Sequence, residues 1–276
     1  MTHIAHLSDL HFGSENPRVC IALHEALMAL EPDLIAVSGD LTQRARKQQF
    51  EAARKFLTQL PGELLIVPGN HDVPLFDLPT RLIQPYRNYH AHFGEHQSAA
   101  INAGPVTLLG VDSTRRWRHK EGWLGRRGDR SIPLRLPTRA DGHILGMVTH
   151  HPLQRYREAS GPNARQAARK TVARLHRLGV DFILCGHDHH PRTHWFDLIE
   201  TDEASVSKAE QGILQVSAGT AISTRTREHP NSFNLLRIEV EPGKRAQLHN
   251  QRWDYHDATA EFTPNSEQSV LLSRRP

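Results

Sequence analysis

Nine residues able to bind metal or move protons stand in short clusters along the chain: Asp9 with His11, Asp40, Asn70 with His71 and Asp72, His150, and His187 with His189. Each cluster directly follows an apolar run, respectively His3 to Leu7, Asp33 to Val37, Glu63 to Val67, Ile144 to Val148 and Asp181 to Leu184. Buried strands ending in polar loops give this pattern, and such loop ends are where open α/β sheets place their chemistry. Carboxylates, imidazoles and an amide oxygen together suit hard and borderline cations such as Mn²⁺, Fe²⁺ and Zn²⁺, whereas a structural zinc site draws on cysteine. Only Cys20 and Cys185 are present, neither in a CxxC, and both read as reduced, buried thiols.

Asp9, His11, Asp40, Asn70, His150, His187 and His189 offer seven donors from five strand ends. One ion of roughly four to six ligands does not need them all, but two ions sharing a bridging carboxylate do. Two divalent ions set against the two carboxylates and one hydroxide leave about one positive charge, which suits a phosphodiester monoanion. Asn70 preserves that attraction where a third aspartate would cancel it. The glycines before Asp40, Asn70 and His187 let the backbone turn into the site without a Cβ in the way.

The elements that must position these residues follow a βα rhythm. Asp9, Asp40 and Asn70 lie 31 and 30 residues apart, about one βα repeat each, and right-handed crossovers bring all three to one edge of a parallel sheet. Helical stripes run over Arg18 to Leu30, Gln48 to Leu60, Arg81 to Phe93 and Asn163 to Leu178, with a further strand over Val106 to Val111. From Thr193 to Trp253 the runs read as antiparallel strands forming a second sheet packed on the first. Residues 1–256 form one domain with an insertion at 113–137 that is rich in arginine and holds Trp117 and Trp123. Residues 257–276 read as a loose polar tail.

The formal charge of +4 favours anionic partners but is too mild to argue for nucleic acid. The first strand begins by His3, which leaves no room for a signal core, and no apolar stretch reaches the roughly 18 residues of a membrane span. A soluble, cytoplasmic protein is expected. Twenty histidines call for ligands, general acids or both.

In chain order, the motifs DLH, GDLT, GNHD, HHP and GHDHH resemble those of the calcineurin-like metallophosphoesterase superfamily, from about Ile4 to His189. The resemblance implies a four-layer αββα sandwich of two packed mixed sheets. It implies two divalent or trivalent ions (Mn²⁺, Fe²⁺/Fe³⁺ or Zn²⁺), one held by Asp9, His11, Asp40 and His189 and the other by Asp40, Asn70, His150 and His187. It makes His71 a non-ligand that contacts the phosphate, with Asp72 orienting its ring, and it favours His150 over His151 as ligand. Attack on phosphorus by a hydroxide bridging the ions is the implied mechanism. The stretches Ala218 to Thr220, Thr224 to Arg227 and Asn231 to Asn234 resemble bacterial cyclic-nucleotide phosphodiesterase-type members, so a small anionic phosphodiester, cyclic AMP foremost and glycerophosphodiesters next, is the expected substrate. The alternatives are hydrolysis of nucleic-acid ends or of the pyrophosphate of a nucleotide-linked lipid. A scaffold role, as in retromer subunits with degraded metal sites, fits least because every ligand position is filled. His190 reads as either a support for the site or an exposed residue, His194 lies on the next strand within reach of the site, a contribution from His151 is left open, and Arg44 and Arg46 are candidates for meeting a substrate phosphate.

Overall fold

The computed structural model describes residues 1–94, 99–117, 122, 143–153, 162–197, 212–241 and 243–272. Its first half is built as β1 (Thr2–Leu7), α1 (Pro17–Leu30), β2 (Leu34–Val37), α2 (Lys47–Leu57) and β3 (Glu63–Ile66), with β1, β2 and β3 parallel. Asn16 starts α1 by accepting the Arg18 amide, and Pro17 occupies the first turn, where its missing N–H costs nothing. Strand residues alternate between faces: Ile35 and Val37 join one core, Leu34 and Ala36 the other.

After a single 3₁₀ turn at Asn70–Asp72 come α3 (Leu78–Ile83), α4 (Arg87–Phe93) and the hairpin β4 (Ala100–Ala103) and β5 (Val106–Gly110). The one helix expected over Arg81 to Phe93 is therefore two. Pro85 has no N–H and disfavours the helical region for Gln84, which sits at φ −137°. Then follow β6 (Ile144–Val148), α5 (Pro162–Arg177), β7 (Phe182–Cys185), β8 (Arg192–Asp197), β9 (Gly212–Ser217), β10 (Ser232–Glu239), β11 (Gln247–His256) and β12 (Glu261–Leu271).

Two mixed six-stranded sheets result, in the orders β12-β11-β10-β1-β2-β3 and β4-β5-β6-β7-β9-β8. The C-terminal strands do not form a sheet of their own, as the sequence suggested. β9 runs parallel to β7 and completes the second sheet with β8, while β10 pairs antiparallel with β1 and returns the chain to the first. The expected loose tail is also corrected, since β12 pairs with β11 along its length as the edge strand of the first sheet.

Four layers stack as α, β, β, α. Leu23, Leu27, Phe50, Leu57 and Tyr89 from α1, α2 and α4 cluster with Ile35 and Val37 on the outer face of the first sheet. Ile4, Leu34 and Val67 meet Leu108, Val148, Phe182 and Leu184 between the sheets, and Val172 and Leu175 of α5 join Met147 and Ile183 on the far face. Full burial of each large apolar side chain is worth about 1.5 to 3 kcal/mol. No described helix is long and apolar enough to cross a membrane. Of the arginine-rich segment, only Ser113 to Trp117 and Gly122 lie within the described residues.

Candidate metal centre

The parallel strands β1, β2 and β3 of one sheet and β6 and β7 of the other all end on the same side, and their following loops interlock. Asp9 N donates to the Gly39 carbonyl (3.1 Å) and His11 N to that of Asp40 (2.9 Å), while Gly186 N reaches the His150 carbonyl (3.0 Å). The sheets are tied across this edge by His187 N on Asp9 Oδ2 (3.0 Å) and by His150 Nδ1 on the Ser38 carbonyl (2.8 Å). All seven donors anticipated from sequence meet here, Asp9, His11, Asp40 and Asn70 after strands of one sheet and His150, His187 and His189 after strands of the other.

The backbone is strained to bring them together. Of eight non-glycine residues at positive φ among the described residues, five are Asp9, His11, Asp40, His187 and His189, at 54°, 48°, 54°, 75° and 59°. Such conformations cost about 1 to 3 kcal/mol each and persist where the surroundings over-determine them. The room is equally tight. A Cβ on Gly69 would stand 2.1 Å from Asp40 N, and one on Gly186 would stand 1.8 Å from Ser8 Oγ, so both positions need glycine for space.

In one corner, Asp9 Oδ1 lies 3.6 Å from both His11 Nε2 and His189 Nε2. Asp9 Oδ1 and both ring nitrogens of His11 are buried without a hydrogen-bond partner among the described residues. Buried polar atoms are seldom left so, because each forfeits its hydration for nothing. His189 Nδ1 sits 2.5 Å from Thr220 Oγ1, whose hydrogen points to the Arg225 carbonyl (3.4 Å), so the ring donates to the hydroxyl and turns a bare Nε2 toward Asp9. Burial pushes Asp9 up, but the neighbouring His189 and His11 rings outweigh it and hold the carboxyl well below the usual range.

In the other corner the Ser38 carbonyl can only accept, so His150 Nδ1 carries a proton. His150 Nε2 then faces Asn70 Oδ1 at 3.1 Å, Asp40 Oδ1 at 3.3 Å and His187 Nδ1 at 3.1 Å. Oxygen acceptors converging on a ring nitrogen require either a second proton or a cation among them. The pull shows in the ring's basicity: burial lowers it, the Asp40 carboxylate outweighs burial, and His150 is pushed up to about 9. Asp40 stands between the corners, with Oδ2 3.7 Å from His11 Nε2 and Oδ1 directed at His150. Its own burial is likewise outweighed by His150, which holds it well below the carboxylate range. The orphaned atoms, the donor types and triads whose ligand atoms lie within 4.8 Å of one another all fit divalent cations.

His71 N donates to Asp40 Oδ1 (2.8 Å), and its ring packs edge-on against His11 with centroids 4.8 Å apart. The expectation that Asp72 orients this ring is corrected. The Asp72 carboxylate accepts from the amides of Leu41, Thr42 and Gly69 and from the Thr42 hydroxyl, and so locks the β2 and β3 loops together. The ring is instead held by the Gln43 carbonyl, 2.9 Å from Nδ1. Burial pushes His71 down to about 4 and Asp72 up to about 6. His151 is buried beside the centre, its Nδ1 2.8 Å from Ser113 Oγ and its ring 4.5 Å from that of His187. His190 pairs with His229, and His194 packs on Phe196. Arg44 lies over the Phe76 ring and Arg46 opens α2.

Four partners went unread from sequence: the Ser38 and Gln43 carbonyls, Thr220 and Arg225. Main-chain oxygens have no residue signature. Thr220 and Arg225 fall in the stretch that resembles cyclic-nucleotide phosphodiesterases, which was their one available signal.

Comparison with known proteins agrees with this geometry. The profile of the calcineurin-like phosphoesterase family matches residues 2–191. The glycerophosphodiester phosphodiesterase GpdQ of Enterobacter lignolyticus is 27% identical over 198 residues, covering 67% of this chain and 70% of that protein. A probable GpdQ of Arcobacter nitrofigilis is 26% identical over 204 residues, covering 72% and 71%. Among solved structures, yellow lupin purple acid phosphatase covers 98% of this chain and 53% of its own, with 13% identity and a TM-score of 0.65. A dimetal phosphatase from Danio rerio covers 99% of each chain, with 12% identity and a TM-score of 0.54. With the family profile spanning every clustered donor and the fold shared with these phosphatases, the chain belongs to the calcineurin-like phosphoesterase family of metal-dependent hydrolases.

Proposed function

We propose that this protein hydrolyses small phosphodiesters at a dinuclear centre. Asp9, His11, Asp40 and His189 hold one ion, Asp40, Asn70, His150 and His187 the other. The observation that carries this reading is Asp40, whose two carboxylate oxygens face separate clusters of metal-capable groups. Bound divalent ions supply Lewis acidity toward the phosphoryl oxygens and lower the pKa of water.

The chain's own residues do the rest. Asn70 contributes a neutral donor that preserves the excess positive charge for an anionic substrate. His71 keeps Nδ1–H on the Gln43 carbonyl, which fixes the ring so that Nε2 projects at the edge of the centre. On this reading the neutral His71 stands beside the phosphoryl group and positions it relative to the departing alkoxide. Asp72 acts at one remove, holding the loop that carries His71. The activity named for the curated relatives supports glycerophosphodiesters as candidate substrates, and cyclic AMP is carried from the sequence resemblance alone.

The test is a metal-supplemented panel of bis-p-nitrophenyl phosphate, p-nitrophenyl phosphate, glycerophosphocholine, cyclic AMP and single-stranded DNA on wild type, Asn70→Ala and His71→Ala. Diesters should be preferred, Asn70→Ala should lose most of the activity, and His71→Ala should keep both metals while slowing by about 10²-fold. Diester hydrolysis unchanged by Asn70→Ala would remove the dinuclear mechanism, and preference for DNA would move the function to nucleic-acid ends.

A further inference from the structure

The loop after β9 carries a cation without a counter-ion at the mouth of the centre. Arg225 is exposed, and no described carboxylate lies within ion-pair distance of it. Its Nη1 donates to Gln43 Oε1 (3.1 Å) and faces His71 Nε2 (3.3 Å). Because His71 Nδ1 is committed to the Gln43 carbonyl, Nε2 is the ring's acceptor, and the guanidinium points at the atom that projects into the site. Both partners of the guanidinium are neutral. Its Nε and Nη2 donors form no hydrogen bond within the described protein, so an edge of the fork is free.

The backbone beneath this side chain is firmly anchored. Asn16 N donates to the Ile222 carbonyl (2.9 Å), Ala221 N to that of Ser8 (3.0 Å) and Thr224 N to that of Ser14 (2.9 Å). Asn231 Nδ2 holds the Ser223 carbonyl at 2.9 Å. Within the same loop the Arg225 carbonyl accepts from Thr220 Oγ1, the hydroxyl that orients His189. One pinned loop thus sets a metal-ligand candidate and presents a guanidinium beside it.

We propose that Arg225 is a specificity-determining residue, one that binds a phosphoryl oxygen of the anionic substrate beside His71. This rests on the phosphodiesterase reading above. Charge-assisted bonds to an anion are roughly twice as strong as bonds to neutral acceptors, and a planar fork can grip two oxygens at once. The free donors therefore engage the anion while Nη1 keeps Gln43 and His71 in place.

The experiment compares Mn²⁺-loaded wild type, R225A, R225K and R225Q, with R225Q and R225K carrying the test if R225A does not fold. With bis-p-nitrophenyl phosphate, KM should rise about 10- to 100-fold in R225A while kcat changes much less. The inhibition constant of inorganic phosphate should weaken in parallel, with metal content unchanged. R225K should recover part of the loss, as a point charge without the fork. KM and phosphate inhibition within about twofold of wild type would overturn the assignment. If wild type hydrolyses no diester, the functional reading fails by itself. Calorimetric binding of inorganic phosphate to the same proteins then decides Arg225 alone: weaker binding in R225A upholds it, and equal binding overturns it.

Discussion

The two corners of the centre use the same donor chemistry but are held by different means. Asp9, His11 and His189 all sit at left-handed φ, and Asp9 Oδ1 and both ring nitrogens of His11 are buried without hydrogen-bond partners among the described residues. Across Asp40, His150 leans on the Ser38 carbonyl, Asn70 sits in a 3₁₀ turn, and His187 alone is left-handed. The first corner combines left-handed backbone with buried polar atoms that a bound cation would engage. In the second, the Ser38 carbonyl fixes His150 from behind, the kind of support expected for a ligand ring. Both corners have supporting hydrogen bonds, Thr220 behind His189 and the Ser38 carbonyl behind His150, but the first has more of its polar atoms without partners.

Asp40→Ala should have the largest effect, because it removes the carboxylate that serves both corners. Both ions should be lost and turnover should fall about 10³-fold or more. Two ions per chain retained by elemental analysis would show that Asp40 is not shared.

An intermediate effect is expected beneath the second corner, where His6 Nε2 meets Ser38 Oγ at 3.0 Å and Ser38 supplies the carbonyl behind His150. Burial pushes His6 down to about 3, so the folded state holds it neutral while the unfolded chain takes up a proton near 6.5. Its depressed pKa means that stability is fully present above pH 6.5 and drains away as pH falls toward 3. Metal-free protein should lose about 2 to 3 kcal/mol from this group between pH 7 and 4.5. In His6→Gln that slope should shrink in urea titrations at the two pH values. An identical slope would mean that His6 is not what the corner titrates through.

Thr220→Val should do least. It takes the hydroxyl from behind His189 and should weaken one ion by about tenfold while leaving the other unchanged. Stepwise metal titration by calorimetry reads this directly, and equal weakening of both ions would erase the distinction between the corners.

Much of the site was legible because its signal is local. An apolar run followed at once by Asp, His or Asn marks a strand end whatever surrounds it, and all five such ends reach the centre. The helical stripes of α1 and α2 were legible for the same reason, since Val19, Leu23 and Leu27, and Phe50, Ala53 and Leu57, each define a buried face. The strand β12 was not. It is an edge strand with mostly exposed side chains, so its pairing rests on backbone hydrogen bonds to β11, which leave little mark on residue type. The role given to Asp72 failed for a related reason: a carboxylate next to a histidine in sequence pointed the other way, toward three amides.

By itself the sequence determined which side chains could bind metal, the order in which they occur and the βα spacing that gathers them, because these depend on residue type and on distance along the chain. Only the tertiary structure decided which sheet each strand joins, that Asp40 divides its oxygens between two corners, and that main-chain carbonyls and one uncompensated arginine steer the histidines. Those depend on which backbone groups are left unpaired when separate strands meet, and no single stretch of sequence contains that information.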